Sequence, residues 1–125
     1  ILDWELATIG DPLTDLGTTL AYWAEPGDPA PLRAFGLSDR PGNLDRQGLI
    51  DRYAARSGRD VRNILFYYCY GLFKNAVIVL QIYARHRQGQ TSDPRFGGLI
   101  HVLRAIAAMA ERAIATGRVS GLQQA

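Results

Sequence analysis

The sequence predicts a mainly α-helical domain, and three observations carry that expectation. Apolar residues recur at helical spacing in four separate stretches, Gly and Pro punctuate the segments between them, and only a short stretch at the start reads as strand. The composition agrees, since 125 residues with 47% apolar and 21% charged side chains make one ordinary globular core.

Residues 1–4 are apolar around one acid and read as the end of a strand. Asp11-Pro12 then marks a helix start, with Asp11 as cap and Pro12 at the first helical position, where a missing N–H costs nothing. Leu13, Leu16, Leu20 and Trp23 share one face of that helix, Gly17 gives a close-approach point, and Glu25-Pro26-Gly27 ends it. Residues 25–43 hold four of the six prolines and read as a long surface connection. After Asn43-Leu44-Asp45, the spacing of Leu49, Ile50, Tyr53 and Ala54 predicts a short helix closing at Ser57-Gly58. With Asp60 as its cap, a third helix is predicted over 61–86, apolar or aromatic on every face and so buried nearly all round. Asp93-Pro94 repeats the cap-plus-proline start, and Leu99, Val102, Leu103, Ile106, Met109, Ala110 and Ala113 trace one face of a last helix. The domain is expected to end near residue 117, with 118–125 as a frayed tail.

The net charge of +2 conceals an asymmetry: residues 1–60 carry ten acids against six arginines, and residues 61–125 two acids against eight bases. The bases are scattered singly, which disfavours a nucleic-acid partner. Cys69 is the only cysteine, so no intrachain disulfide forms and a reduced, cytoplasmic setting is expected. The start at Ile1, without the features of a signal peptide, reads as a piece of a longer protein. Residues 63–84 approach the ~20 residues that span a bilayer. Lys74, Asn75, Gln81 and four tyrosines within the stretch argue for a soluble core helix and no membrane span.

Chemistry concentrates in the acids of the first fifteen residues. In Asp3-Trp4-Glu5, side chains two apart on an extended backbone point the same way, so Asp3 and Glu5 could hold a hard cation between them. The alternative is an exposed strand end kept acidic for solubility. Asp11 is explained by capping, whereas Asp15, read as facing the same side as Leu16, needs backbone N–H partners from a neighbouring loop if buried. His86 and His101 stand apart from any acid or cysteine at ligand spacing and read as ordinary helix-border histidines. Lys74 reads as a snorkelling or ion-paired residue, and Cys69 has no adjacent base to make it a thiolate. No glycine-rich phosphate loop, G-x-S-x-G elbow or H-E-x-x-H string is present.

Leu2-Asp3-Trp4-Glu5 followed by Gly10-Asp11-Pro12-Leu13-Thr14-Asp15-Leu16-Gly17 resembles the aminoglycoside phosphotransferase and choline-kinase-like family. The stretches Leu72-Phe73-Lys74-Asn75-Ala76-Val77, Ile82-Tyr83-Ala84-Arg85 and Thr91-Ser92-Asp93-Pro94-Arg95-Phe96 are similar to one branch, the kinase-like domains also found fused to acyl-CoA dehydrogenases. The resemblance implies the C-terminal helical part of a protein-kinase-like large lobe, spanning 1–117, with a short residual strand at its start. It further implies that Asp3 holds the Mg2+ bridging the phosphates of ATP, that Glu5 is a supporting metal carboxylate, and that Asp15 braces the catalytic loop through backbone hydrogen bonds. The family's H-G-D-x-x-x-x-N loop, with its base Asp, has no counterpart here, and neither has the small lobe with its nucleotide-binding lysine. The implied function is therefore phosphoryl transfer from ATP to a hydroxyl of a small molecule, an antibiotic or a hydroxylated or hydroxyacyl metabolite, by a protein of which this piece alone is inert. The competing reading is a non-catalytic helical interaction module or a truncated-gene product.

Overall fold

The computed structural model describes residues 9–34 and 36–123. Five α-helices follow in order: α1 Leu13–Tyr22, α2 Ala30–Arg33, α3 Arg46–Ser57, α4 Ile64–Arg87 and α5 Leu99–Thr116, with a 3-10 turn, Pro94–Gly98, leading into α5. Among the described residues there is no strand, and the strand expected over 1–4 lies outside them. The long α4 runs between α1 and α5 and packs extensively on both. Leu16 and Leu20 of α1, Ile50 of α3, Tyr68 and Leu72 of α4, and Ile106 and Met109 of α5 meet in one core. Full burial of each such side chain stabilises the fold by about 1.5–3 kcal/mol.

The α1–α4 contact is backbone on backbone. A Cβ on Gly17 would overlap the Tyr67 carbonyl, and one on Gly71 would lie 2.6 Å from the Gly17 oxygen, so both positions require glycine for this approach. That bears out the close-approach reading of Gly17 made from spacing. The helix ends also follow the local chemistry. Asp45 Oδ1 accepts from the Gly48 N–H at 2.7 Å to open α3, and Gly58, at φ 66°, closes it in the left-handed conformation. Asp93 Oδ1 accepts from the Arg95 N–H ahead of α5, and Gly117, at φ 67°, ends that helix.

Three expectations are corrected. First, α4 begins at Ile64 rather than 61, because Asp60 spends its carboxylate on the Arg62 N–H and Nε and so holds a turn before the helix. Nor is α4 buried all round: Phe66, Tyr70 and Phe73, one turn apart along one side, are exposed, while Tyr68, Gly71, Leu72, Asn75 and Val79 form the buried face. Helix α4 is long and apolar enough to cross a bilayer, with a mean hydropathy of 1.3, but that buried face packs as the central helix of the bundle. Second, residues 25–43 are more than a surface connection, since Glu25 and Asp28 are buried and α2 lies within the stretch. Third, residues 118–123 do not fray. Val119 and Leu122 are 5% and 3% exposed, and Glu25 accepts from Ser120 Oγ at 2.6 Å and from the Gly121 N–H at 2.9 Å.

Candidate functional site

Asp3 and Glu5 lie outside the described residues, so the geometry begins at the turn that follows them. Asp11 Oδ1 accepts from the Leu13 N–H at 2.9 Å and Oδ2 accepts from the Tyr67 hydroxyl, which ties the start of α1 to α4. The Tyr67 bond, followed by the Leu13 N–H, holds the Asp11 carboxyl below its ordinary range. Asp11 therefore has a structural duty, as its capping position predicted.

Asp15 is exposed, with no hydrogen-bond partner for its carboxylate among the described residues. The sequence reading placed it beside Leu16 on the apolar face, but a helix turns about 100° per residue. Asp15 thus lies a quarter turn or more from Leu16 and nearly opposite Leu13. It opens onto a groove of about 600 Å3 between α1 and α3, whose other walls include Pro12, Thr19, Leu49, Arg52 and Tyr53.

A buried polar cluster was not foreseen from sequence. Arg46, 2% exposed, pairs through Nη2 with Asp28 and through Nη1 with Glu25 at 3.2 Å, and Nη1 also donates to the Val119 carbonyl. Its backbone N–H donates to Glu25 Oε1 at 2.8 Å, and its guanidinium lies 5.4 Å from the centre of the Tyr68 ring. Burial raises the Asp28 carboxyl despite the attraction of Arg46. The one local signal for this cluster is the string Glu25-Pro26-Gly27-Asp28-Pro29, a proline-punctuated turn in which Asp28 accepts from the Glu25 N–H at 2.9 Å.

Of the remaining candidates, none joins a cluster of acids or cysteines among the described residues, and the Nδ1 of His86 is buried without a hydrogen-bond partner among them. Lys74 Nζ donates to Thr18 Oγ1 at 3.4 Å and lies 5.9 Å from the centre of the Tyr70 ring. Burial pushes the Cys69 thiol up, away from a reactive thiolate. His86 stands edge-on to Phe96, and His101 is exposed. Among the described residues, no group of three or more His, Cys, Asp or Glu side chains could hold a metal ion.

Comparison with known proteins bears on the first helix and the motif before it. Residues 1–50 match the model of the Phosphotransferase enzyme family. Over this segment the chain is similar to that family. The matched segment takes in both acidic strings, α1, α2 and the cluster formed by Glu25, Asp28 and Arg46. Across more of its length the chain is similar to Acyl-CoA dehydrogenase family member 11 of Rattus norvegicus, 33% identical over 96 residues, and of Homo sapiens, 31% identical over 97. It is also 33% identical over 97 residues to family member 10 of Mus musculus. Each alignment takes in 74% of this chain, but the chain spans only 12% of the first two relatives and 9% of the third. These relatives bear out the branch to which the later strings pointed. No solved structure matches the chain.

Proposed function

We propose that this chain is part of an ATP-dependent enzyme that phosphorylates a hydroxyl of a small molecule, working in the cytoplasm and inert without the rest of its large lobe. The observation that carries this is the family match over residues 1–50, the segment holding Asp3, Glu5 and Asp15. By the family resemblance the Mg2+ ligands are Asp3 and Glu5, hard oxygen donors of the kind that ion takes, while Asp11 is committed to the Leu13 N–H and the Tyr67 hydroxyl. When bound, the ion supplies charge neutralisation on the phosphates of ATP. Asp15, exposed on the groove between α1 and α3, braces the catalytic loop by accepting its backbone N–H groups. Relatives named as acyl-CoA dehydrogenase family members favour a hydroxylated acyl metabolite over an antibiotic as acceptor.

Two substitutions test this in the longer protein that the proposal requires. Asp3→Asn is expected to leave the melting curve nearly unchanged and to lower phosphoryl transfer by about a hundredfold or more, because positioning and charge neutralisation are most of this catalysis. Full activity of Asp3→Asn with excess Mg2+ would remove the assignment. Asp15→Ala is expected to strand loop donors at about 1–3 kcal/mol and to lower melting temperature and rate together. In the present chain, where Asp15 is exposed, the same change stays within about 0.5 kcal/mol. A second reading, a non-catalytic interaction module, draws on the exposed Phe66 and Phe73 of α4, and it predicts that both variants leave every measured activity intact.

A further inference from the structure

One buried polar side chain has no role in the phosphoryl-transfer reading or in the fold. Asn75 of α4 is 4% exposed, yet its amide has no hydrogen-bond partner among the described residues. It stands in the wall of a cavity of about 280 Å3 between α1, α4 and α5. Leu72, Val79 and Ile82 line the same cavity, and with Asn75 they recur every three or four residues, which puts all four on one face of α4. The Asn75 side chain is therefore flanked, one turn to either side, by residues that face the cavity. Ile78, about half exposed, stands at the mouth.

Other unpaired polar atoms nearby are shut away from it. The Tyr68 hydroxyl, Arg46 Nε and Asp28 Oδ1 are closed off from solvent-sized molecules, whereas the Asn75 amide keeps some open surface. Tyr68 and Arg46 border the cavity and Asp28 does not, and the Arg46 Nη atoms are spent on Glu25, Asp28 and the Val119 carbonyl. The polar group that the cavity offers at depth is thus the Asn75 amide. Leaving such a group unpaired is costly, and native folds leave few of them. It presents N–H donors beside a carbonyl acceptor, so the group that satisfies both at once is a second carboxamide. A ketone answers the donors alone. A carboxylate does the same and must also shed its water against aliphatic walls. The volume falls just below the ~300–1,000 Å3 of drug-sized sites, so the molecule is small.

We propose that this cavity binds a small neutral aliphatic carboxamide, whose amide pairs reciprocally with that of Asn75. The cavity touches α1 at Ala21, at the far end from the Asp11 turn of a ten-residue helix. It is therefore separate from the acidic strings, and neither reading depends on the other's success.

Isothermal titration of the chain with hexanamide, 2-heptanone and hexanoate, three probes of equal size, tests it. Hexanamide is expected to bind with a submillimolar constant and the other two about tenfold more weakly, the loss of one matched hydrogen bond. Asn75→Leu removes an amide that has no partner, so the unliganded melting temperature should hold or rise while affinity for hexanamide falls about tenfold, to that of 2-heptanone. An asparagine with only a structural duty would show the opposite pattern, a lower melting temperature with the preference for the amide intact. Ile78→Trp, at the mouth and away from the core, should abolish binding of all three probes at unchanged stability, and it serves if Asn75→Leu fails to fold. Absence of hexanamide binding would mean that the cavity holds only water and would overturn the proposal. So would 2-heptanone or hexanoate binding as tightly as hexanamide, or full hexanamide affinity in either variant, which would place the probe elsewhere, such as on the exposed side of α4.

Discussion

Two groups of acids lie within the first thirty described positions, and the fold treats them in opposite ways. Asp11 and Asp15, at the start of α1, face solvent, the first anchored by a turn and a tyrosine, the second without any partner among the described residues. Glu25 and Asp28, just past the end of the same helix, are buried against Arg46 and the 119–121 segment. Charges in solvent are screened and contribute little to stability, whereas buried ones must be paired or become a heavy cost. The same residue types thus stand in solvent at one end of a ten-residue helix and serve packing at the other. Exposure decides between the two.

Removing the buried cation should break this contrast most strongly. Arg46→Met leaves two carboxylates buried without a countercharge, and a loss of about 3–5 kcal/mol in urea denaturation at pH 7 is expected. That loss should shrink as the pH is lowered, because the Asp28 carboxyl, already raised by burial, then takes up a proton. A midpoint equal to the native one would mean that the cluster is no more structural than the exposed pair. In the middle of α1, Gly17→Ala drives a methyl into the Tyr67 carbonyl and should cost about 1–3 kcal/mol by overpacking. An unchanged melting temperature would show that α1 and α4 can part without penalty.

The smallest effect sharpens the comparison by its pH dependence. Asp11 has a lowered carboxyl in the folded chain, so its contribution is fully present above the ordinary value of 3.8 and is lost as pH falls through the lowered one. Asp11→Asn should therefore be slightly less stable than the native chain at pH 7 and indistinguishable from it in strong acid. A gap that widened in acid would contradict the bond to Tyr67.

What was legible in the sequence was local. Helical periodicity, the capping at Asp11, Asp45 and Asp93, the stops at Gly58 and Gly117 and the close approach at Gly17 all depend on neighbours within a few turns. What escaped depends on partners far along the chain. Apolarity on every side of α4 could not reveal that only two helices flank it extensively, which leaves Phe66 and Phe73 in solvent. Nothing in the spacing of Glu25 and Arg46 announces their pairing across 21 positions, and Val119 reaches Arg46 across 73. Asp15 shows a different kind of miss: it sits beside Leu16 in sequence but not on the same face of the helix. The metal role proposed for Asp3 and Glu5, which lie outside the described residues, rests chiefly on the family resemblance of the strings around them.

The bonds from Ser120 and Gly121 to Glu25 set an order of events in folding. They close loops of 95 and 96 residues, and bringing such distant points together costs about 4 kcal/mol of chain entropy. Helices α4 and α5, joined by a short turn, have no such barrier to meeting. During synthesis, α1 through α4 can dock while Glu25, Asp28 and Arg46 still wait, hydrated, for their last partners. The Ser120 and Gly121 bonds to Glu25 can form only after residue 121 has left the ribosome, so these contacts are among the last that the buried cluster gains.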